Sequence, residues 1–167
     1  MKSTNPQSIF MVGLLCFLAG VFGGCATPSK YPTYVSVSER IQPVQEGYAR
    51  VFFYTATPLS QDIFFKFSCD GERIGEARGF QAMFIDHHAG SIKVTVNSGG
   101  VWPAFTPKDL LLNLVAGETR YIQAEVDPNS SPFSPHLRLI IKDPDQAMQE
   151  LNNCFYVGPS LPVIRKE

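Results

Sequence analysis

The segment Ile63-Phe64-Phe65-Lys66-Phe67-Ser68-Cys69-Asp70-Gly71 decides the fold class. Ile63, Phe65, Phe67 and Cys69 fall on one face of an extended chain, and Phe64, Lys66 and Ser68 on the other. Period two is the mark of a half-buried strand, and it places Cys69 on the core side. Asp-Gly directly after such a run favours a tight hairpin turn, so Arg73 to Ala77 reads as the return strand.

The same reading extends in both directions. Tyr48 to Tyr54 is a dense apolar and aromatic run, as expected of a buried strand. Phe80 to Ile85 is a further strand, closed by Ala89-Gly90. Ser91 to Asn97 alternates with Ile92, Val94 and Val96 inward. Leu110 to Val115 stops at Ala116-Gly117. Arg120 to Asp127 and His136 to Lys142 complete the set, with Ile122, Ala124, Val126, Leu137, Leu139 and Ile141 inward. One helix follows. Asp143 is a good N-cap, Pro144 suits the first helical position, and Gln146 has capping-box spacing. Ala147, Met148, Leu151 and Phe155 share a face that should pack on a sheet, with Cys154 close to it. Thirteen Phe favour a packed, β-rich core, and thirteen Pro with thirteen Gly supply the turns it needs.

Residues outside this pattern carry other information. Lys2 is followed by an apolar run from Ile9 to Phe22, then Gly23, Gly24 and Cys25. The layout is that of a secretory signal peptide, and its end resembles a bacterial lipoprotein signal. That resemblance implies cleavage before Cys25 and acylation of its thiol. Phe22 stands where such signals usually carry Leu. An ordinary transmembrane anchor is the alternative, but the run is shorter than the roughly 20 residues a spanning helix needs. A plain secretory signal, with Cys25 a bystander, is the other. Ala26 follows the cysteine; the absence of Asp there implies the outer membrane, facing the periplasm.

Cleavage would leave about 140 residues, the size of one domain. Four segments are expected: a signal over 1–24, a lipidated N-terminus and linker over 25–46, a β-rich domain over 47–157 and a tail over 158–167. Pro28, Pro32 and Pro43 give the linker no helical period, although Tyr34, Val35 and Val37 could form an edge strand. The net charge of −1 offers no basic excess for nucleic acid, so none is expected as a partner. With Cys16 removed and Cys25 acylated, Cys69 and Cys154 remain as an even pair in an oxidising compartment. A Cys69–Cys154 disulfide is expected, worth roughly 4 to 5 kcal/mol for so long a loop. Two buried free thiols are the alternative.

The order of these pieces resembles a family of short bacterial lipoproteins, the domain of unknown function 2846. The resemblance rests on Tyr48-Ala49-Arg50-Val51, Asp70-Gly71, Ile74-Gly75, the aromatic strand Phe80 to Phe84, and Gly117-Glu118-Thr119-Arg120-Tyr121. It covers about Gly47 to Leu151, with Ala89-Gly90 standing where a Pro-Gly turn belongs. It implies a mostly β, small antiparallel sandwich-like domain with one C-terminal amphipathic helix, and supplies no substrate.

Chemistry-bearing clusters are few. In Asp86-His87-His88 adjacent side chains point to opposite faces, and His136 is distant, so a solvated turn is favoured over a metal site. Cys69 with a histidine could be a nucleophile and base, but a disulfide or buried thiol accounts for it better. No nucleophile elbow, zinc-protease motif or phosphate loop is present. Asp143 and Asp145 are explained by the helix start. No catalytic residue, metal or cofactor is expected. Trp102 and Phe105 lie in an irregular loop over Ser98 to Asp109 and are candidate contact residues, unless Trp102 folds back to cap the core. The leading expectation is a non-enzymatic envelope lipoprotein, anchored in the membrane through Cys25 and acting by contact with another envelope protein. The alternative is a module binding a small ligand or cell-wall glycan through the Trp102 loop; an enzyme is the third reading.

Overall fold

The computed structural model describes residues 30–58, 62–100, 105–131 and 136–159. Cys25 and Trp102 lie outside them, as do the signal and most of the expected tail. In chain order the elements are α1 (Tyr34–Ser38), β1 (Tyr48–Ala56), β2 (Ile63–Cys69), β3 (Glu72–Ala77), β4 (Phe80–His88), β5 (Gly90–Gly100), β6 (Lys108–Leu114), β7 (Thr119–Val126), β8 (Leu137–Lys142), α2 (Pro144–Leu151) and β9 (Phe155–Tyr156). Among the described residues no helix is long and apolar enough to cross a membrane.

The strands form a small β-sandwich. One sheet has five strands in the order β8-β7-β1-β4-β9, the other four in the order β3-β2-β5-β6. The four-stranded sheet is antiparallel throughout. The five-stranded sheet is mixed, because β1 runs parallel to β7 and β4 parallel to β9. The chain leaves β1 and β4 for other elements before returning to pair with them, so these neighbours are not hairpins and no turn signal announces them.

The two kinds of strand pattern have different causes. Strand β2 buries Ile63, Phe65, Phe67 and Cys69 and exposes Lys66, because only one face of its sheet is covered. Strand β1 is buried on both faces. Ala49, Val51 and Phe53 enter the core between the sheets with Phe65, Phe67, Val94 and Val96. Phe52 and Tyr54 point the other way, into a second cluster with Tyr34, Ala147 and Leu151. A strand covered on both sides reads as a continuous apolar run.

Both helices lie on the outer face of the five-stranded sheet. Asp143 caps α2 by accepting the Asp145 N–H at 2.9 Å, and Ala147 and Leu151 are its buried positions. Helix α1 departs from expectation, since it lies in the segment read as linker or edge strand. Thr33 caps it, Tyr34 and Val37 are buried, and the Tyr34 N–H donates to the Cys154 carbonyl at 2.8 Å. The Tyr156 N–H donates to the Pro32 carbonyl at 2.8 Å. The compact unit therefore begins at Tyr31 rather than near Gly47. A helix of five residues is too short to show a period, and its cap and tertiary contacts hold it.

The expected Cys69–Cys154 disulfide is not formed; both are buried free thiols. Cys69 belongs to the core between the sheets, whereas Cys154 lies beneath α2 on the far side of the five-stranded sheet. The period-two reading placed Cys69 correctly, but the helix packs on the opposite face from the one Cys69 occupies. Phe105 is also corrected. It is 8% exposed, packs in the core between the sheets, and donates its N–H to Ser98 Oγ at 3.0 Å.

Burial pushes the thiols of Cys69 and Cys154 up to about 12 from an ordinary 9.0. It likewise pushes the phenols of Tyr34 and Tyr156 up to about 12 from 10.0. The folded chain holds these protons where the unfolded chain releases them, so raising the pH favours unfolding. The thermal midpoint is expected to be insensitive to these groups up to about pH 9 and to fall above it, towards about 12, as pH is raised. A midpoint that holds level through that window contradicts the assignment. Alkylation without reductant should label both thiols in denaturant and spare them in the native protein. Thiols that appear in denaturant only after reduction would restore the bridge.

Candidate functional site

The Asp70-Gly71 turn is the corner from which the site is built. Asp70 has φ +49° and Gly71 φ +85°, so both central residues are left-handed, the geometry that suits a two-residue hairpin. Gly71 adopts it without the cost a side chain would add. Asp70 then ties the tip to its neighbours. Its N–H donates to the Lys93 carbonyl at 2.9 Å, and its Oδ1 accepts the Lys93 N–H at 2.8 Å. Its Oδ2 lies 3.8 Å from His87 Nε2, on the opposite sheet.

The end of β4 supplies the facing wall. Asp86 holds Arg50 with two hydrogen bonds, Nε to Oδ1 and Nη2 to Oδ2, each 2.7 Å. Arg50 Nη1 also donates to the Gln42 carbonyl at 2.7 Å, and its guanidinium carbon lies 4.4 Å from the Phe84 ring centre. A planar donor fork meets a carboxylate this way, and a stacked ring replaces part of its lost hydration. The register pairs Tyr48 with His88, Ala49 with His87 and Arg50 with Asp86. Asp86 and His88 therefore share the outer face, where His88 lies 4.0 Å from the Tyr48 ring, and His87 turns to the hairpin. The alternation along β4 separates Asp86-His87-His88 into two environments. Among the described residues no group of three or more His, Cys, Asp or Glu could hold a metal ion.

Between these walls is a cleft of about 870 Å³, lined by the hairpin from Cys69 to Gly75, by Met83 to His87, and by Val157, Gly158 and Pro159. Strand β3 is an edge of its sheet. Strand β4 is paired on its outer side only at Gln81 and Ala82, where β9 meets it, and the Val157 N–H donates to the Ala82 carbonyl at 2.8 Å. In that parallel register the next donor would come from residue 159, a proline with no N–H. Pairing stops there. Among the described residues, the outer edge of β4 from Phe84 to Asp86 has no strand partner and faces the cleft.

Side chains give the cleft its chemistry. Ile74, Met83, Ile85 and Val157 are apolar, and Asp70, Glu72 and Asp86 are acidic; Arg73 is held by Glu76 at 2.7 Å. Cys69 lines the cleft, but burial keeps its thiol protonated at neutral pH, and a protonated thiol is a poor nucleophile. Backbone edge, apolar floor and carboxylate rim together suit binding an extended chain.

Of the residues singled out by sequence, the structure gathers Cys69, Asp86 and His87 at this cleft and sends Cys154 and Phe105 elsewhere. Arg50 was missed. It sits inside an apolar run, and a charged residue there was its only signal. No family model matches the chain, and no curated protein matches it.

The Arg50 side chain is 8% exposed and that of Asp86 29%. Asp86→Asn leaves a buried guanidinium without its counter-charge. A loss on the order of 2 to 3 kcal/mol is expected, below the 3 to 5 of a fully buried pair because Asp86 still meets water. Arg50→Met combined with Asp86→Leu should recover most of it. Denaturant titration of both variants checks this; equal losses in the single and the double variant would refute the coupling.

Proposed function

We propose that this chain is a non-enzymatic lipoprotein of the bacterial envelope, tethered through acylated Cys25 at the outer membrane, whose domain acts in the periplasm by protein–protein contact. The contact surface in this reading is the cleft between β3 and β4. One observation carries it: a run of unpaired strand edge lies beside apolar and acidic side chains, which suits the addition of an extended segment from another protein. The tether rests on the Lys2 to Cys25 sequence, and the described domain begins only a few residues later, at Tyr31. A glycan or small-ligand site at the Trp102 loop draws less support, because Phe105 is committed to the core.

Photocrosslinking in cells tests the surface. A probe replacing Glu72, exposed on the rim, is expected to give a discrete adduct with another envelope protein, while a probe at Lys66, on the outer face of the same sheet and away from the cleft lining, gives none. No adduct at Glu72, from protein that is folded and fractionates with membranes, rejects the cleft. Cys25→Ala is expected to block processing or release the protein from membranes. A processed, membrane-bound Cys25→Ala form rejects the tether.

A further inference from the structure

A sandwich exposes the outer strands of both its sheets, and these edges are not equally guarded. Strand β3 carries Glu72, Arg73 and Glu76 and has a register shift opposite Phe67 and Ser68, both features that discourage pairing. Strand β4 is half covered by β9 and by residues 157–159. Strand β6 is charged only at Lys108 and Asp109, where its Asp109 carboxylate is tied to Lys93 and Thr95 of the neighbouring strand, and beyond them it has neither protection. It spans Lys108–Leu114, is the last strand of its sheet among the described residues, and exposes Leu111 by 73%. Val115, four residues further and just past the end of the strand, is 59% exposed. Ile141 on the adjacent edge strand β8 is 48% exposed.

The free backbone groups of β6 can be identified. The Asp70 N–H donates to the Lys93 carbonyl, so Lys93 and alternate residues of β5 point toward β2. Ile92, Val94 and Val96 therefore point toward β6, where they meet Leu112, Leu110 and Lys108. Asp109, Leu111 and Asn113 are left with backbone groups directed away from the sheet.

We propose that β6 pairs antiparallel with β6 of a second copy of this chain, about a twofold axis through Leu111. This pattern is self-complementary. Leu111 meets Leu111, and Asp109 meets Asn113, an acceptor opposite a donor. Centring the pair on Asp109 instead would set that carboxylate against its own copy. Pairing ends of its own accord, because Val115 would fall opposite Pro107, which has no N–H. The axis runs normal to the sheet, so the clefts between β6 and β8 in the two copies face each other and shelter Leu110, Leu139 and Ile141. Both α1 helices then emerge on the same side of the dimer, an arrangement two chains tethered to one membrane would require. This dimer is independent of the β3–β4 cleft; only its fit to a common membrane rests on the proposed tether.

The test uses the full chain in cells. Leu111→Cys is expected to give a species of twice the mass with a short bismaleimide, since residues facing each other in a hydrogen-bonded antiparallel pair lie about 5.5 Å apart. Lys93→Cys, one strand inward, would lie about 14 Å from its copy, three strand spacings away, and should remain monomeric. Maleimide-polyethylene glycol labelling shows that each new thiol is accessible. Accessible Leu111→Cys that stays monomeric overturns the dimer. So does equal crosslinking of both variants, or an adduct whose mass is not twice that of the chain.

Discussion

The structure depends on covering both faces of β1. Its core-side residues, Val51 and Phe53, have to be met by a second sheet, and its outer residues, Phe52 and Tyr54, by something else. Fully burying such a side chain stabilises the fold by roughly 1.5 to 3 kcal/mol, so neither face can be left to water. The second sheet answers the first demand. Helix α2 and the short helix α1 answer the other, which explains why a segment with little helical propensity of its own is held in place. Phe52 is packed by Tyr34, Phe84 and Tyr121 at ring separations of 5.8, 5.3 and 5.4 Å. The Tyr54 hydroxyl donates to Glu150 at 2.7 Å, and Glu150 accepts from Lys142 at 2.9 Å, so the helix is fixed by polar contacts as well as apolar ones.

Arg50 is the point at which this double burial meets the surface. It occupies the outer face of β1 just where the helices stop, and it is almost wholly covered. A charge there is tolerated because Asp86, the Gln42 carbonyl and the Phe84 ring surround it. The same Asp86 lines the cleft, so the group that satisfies the buried charge also helps shape the candidate binding surface.

The strand edges complete the picture. A sandwich with open sheets has edges, and each is a template for another chain. Here charge and irregular register guard β3, the chain after β9 crosses part of β4, and β6 is regular, with an apolar stretch from Leu110 to Leu112. Among the described residues these edges are open to another chain, and the two thiols are not. Cys69 and Cys154 illustrate the contrast, since both are buried and protonated, and each serves as a small apolar residue in its own core.

How much of this was legible follows from the range of each interaction. The strand of alternating residues from Ile63, the Asp70-Gly71 hairpin, the dense apolar run at Tyr48 and the Asp143-capped helix are local patterns, written in neighbouring residues, and they specify a β-rich domain with one C-terminal helix. The alternation that separates His87 from Asp86 and His88 is equally local. Strand order is not local. That β1 lies parallel to β7, that Tyr34 reaches Cys154, and that the Asp70 turn stands across from His87 depend on contacts between distant segments. For the same reason Cys69 and Cys154 looked like partners in sequence and are separated by a whole sheet in the fold. Phe105 lies in a loop rich in turn residues, and only the open end of the core decided that it points inward. Period and turn chemistry thus determined most of the elements and their buried faces, but not helix α1, and not Ile141, which alternation turned inward and the fold leaves 48% exposed. The tertiary structure alone decided which faces meet, because side-chain packing, and not local propensity, selects among the arrangements those elements allow.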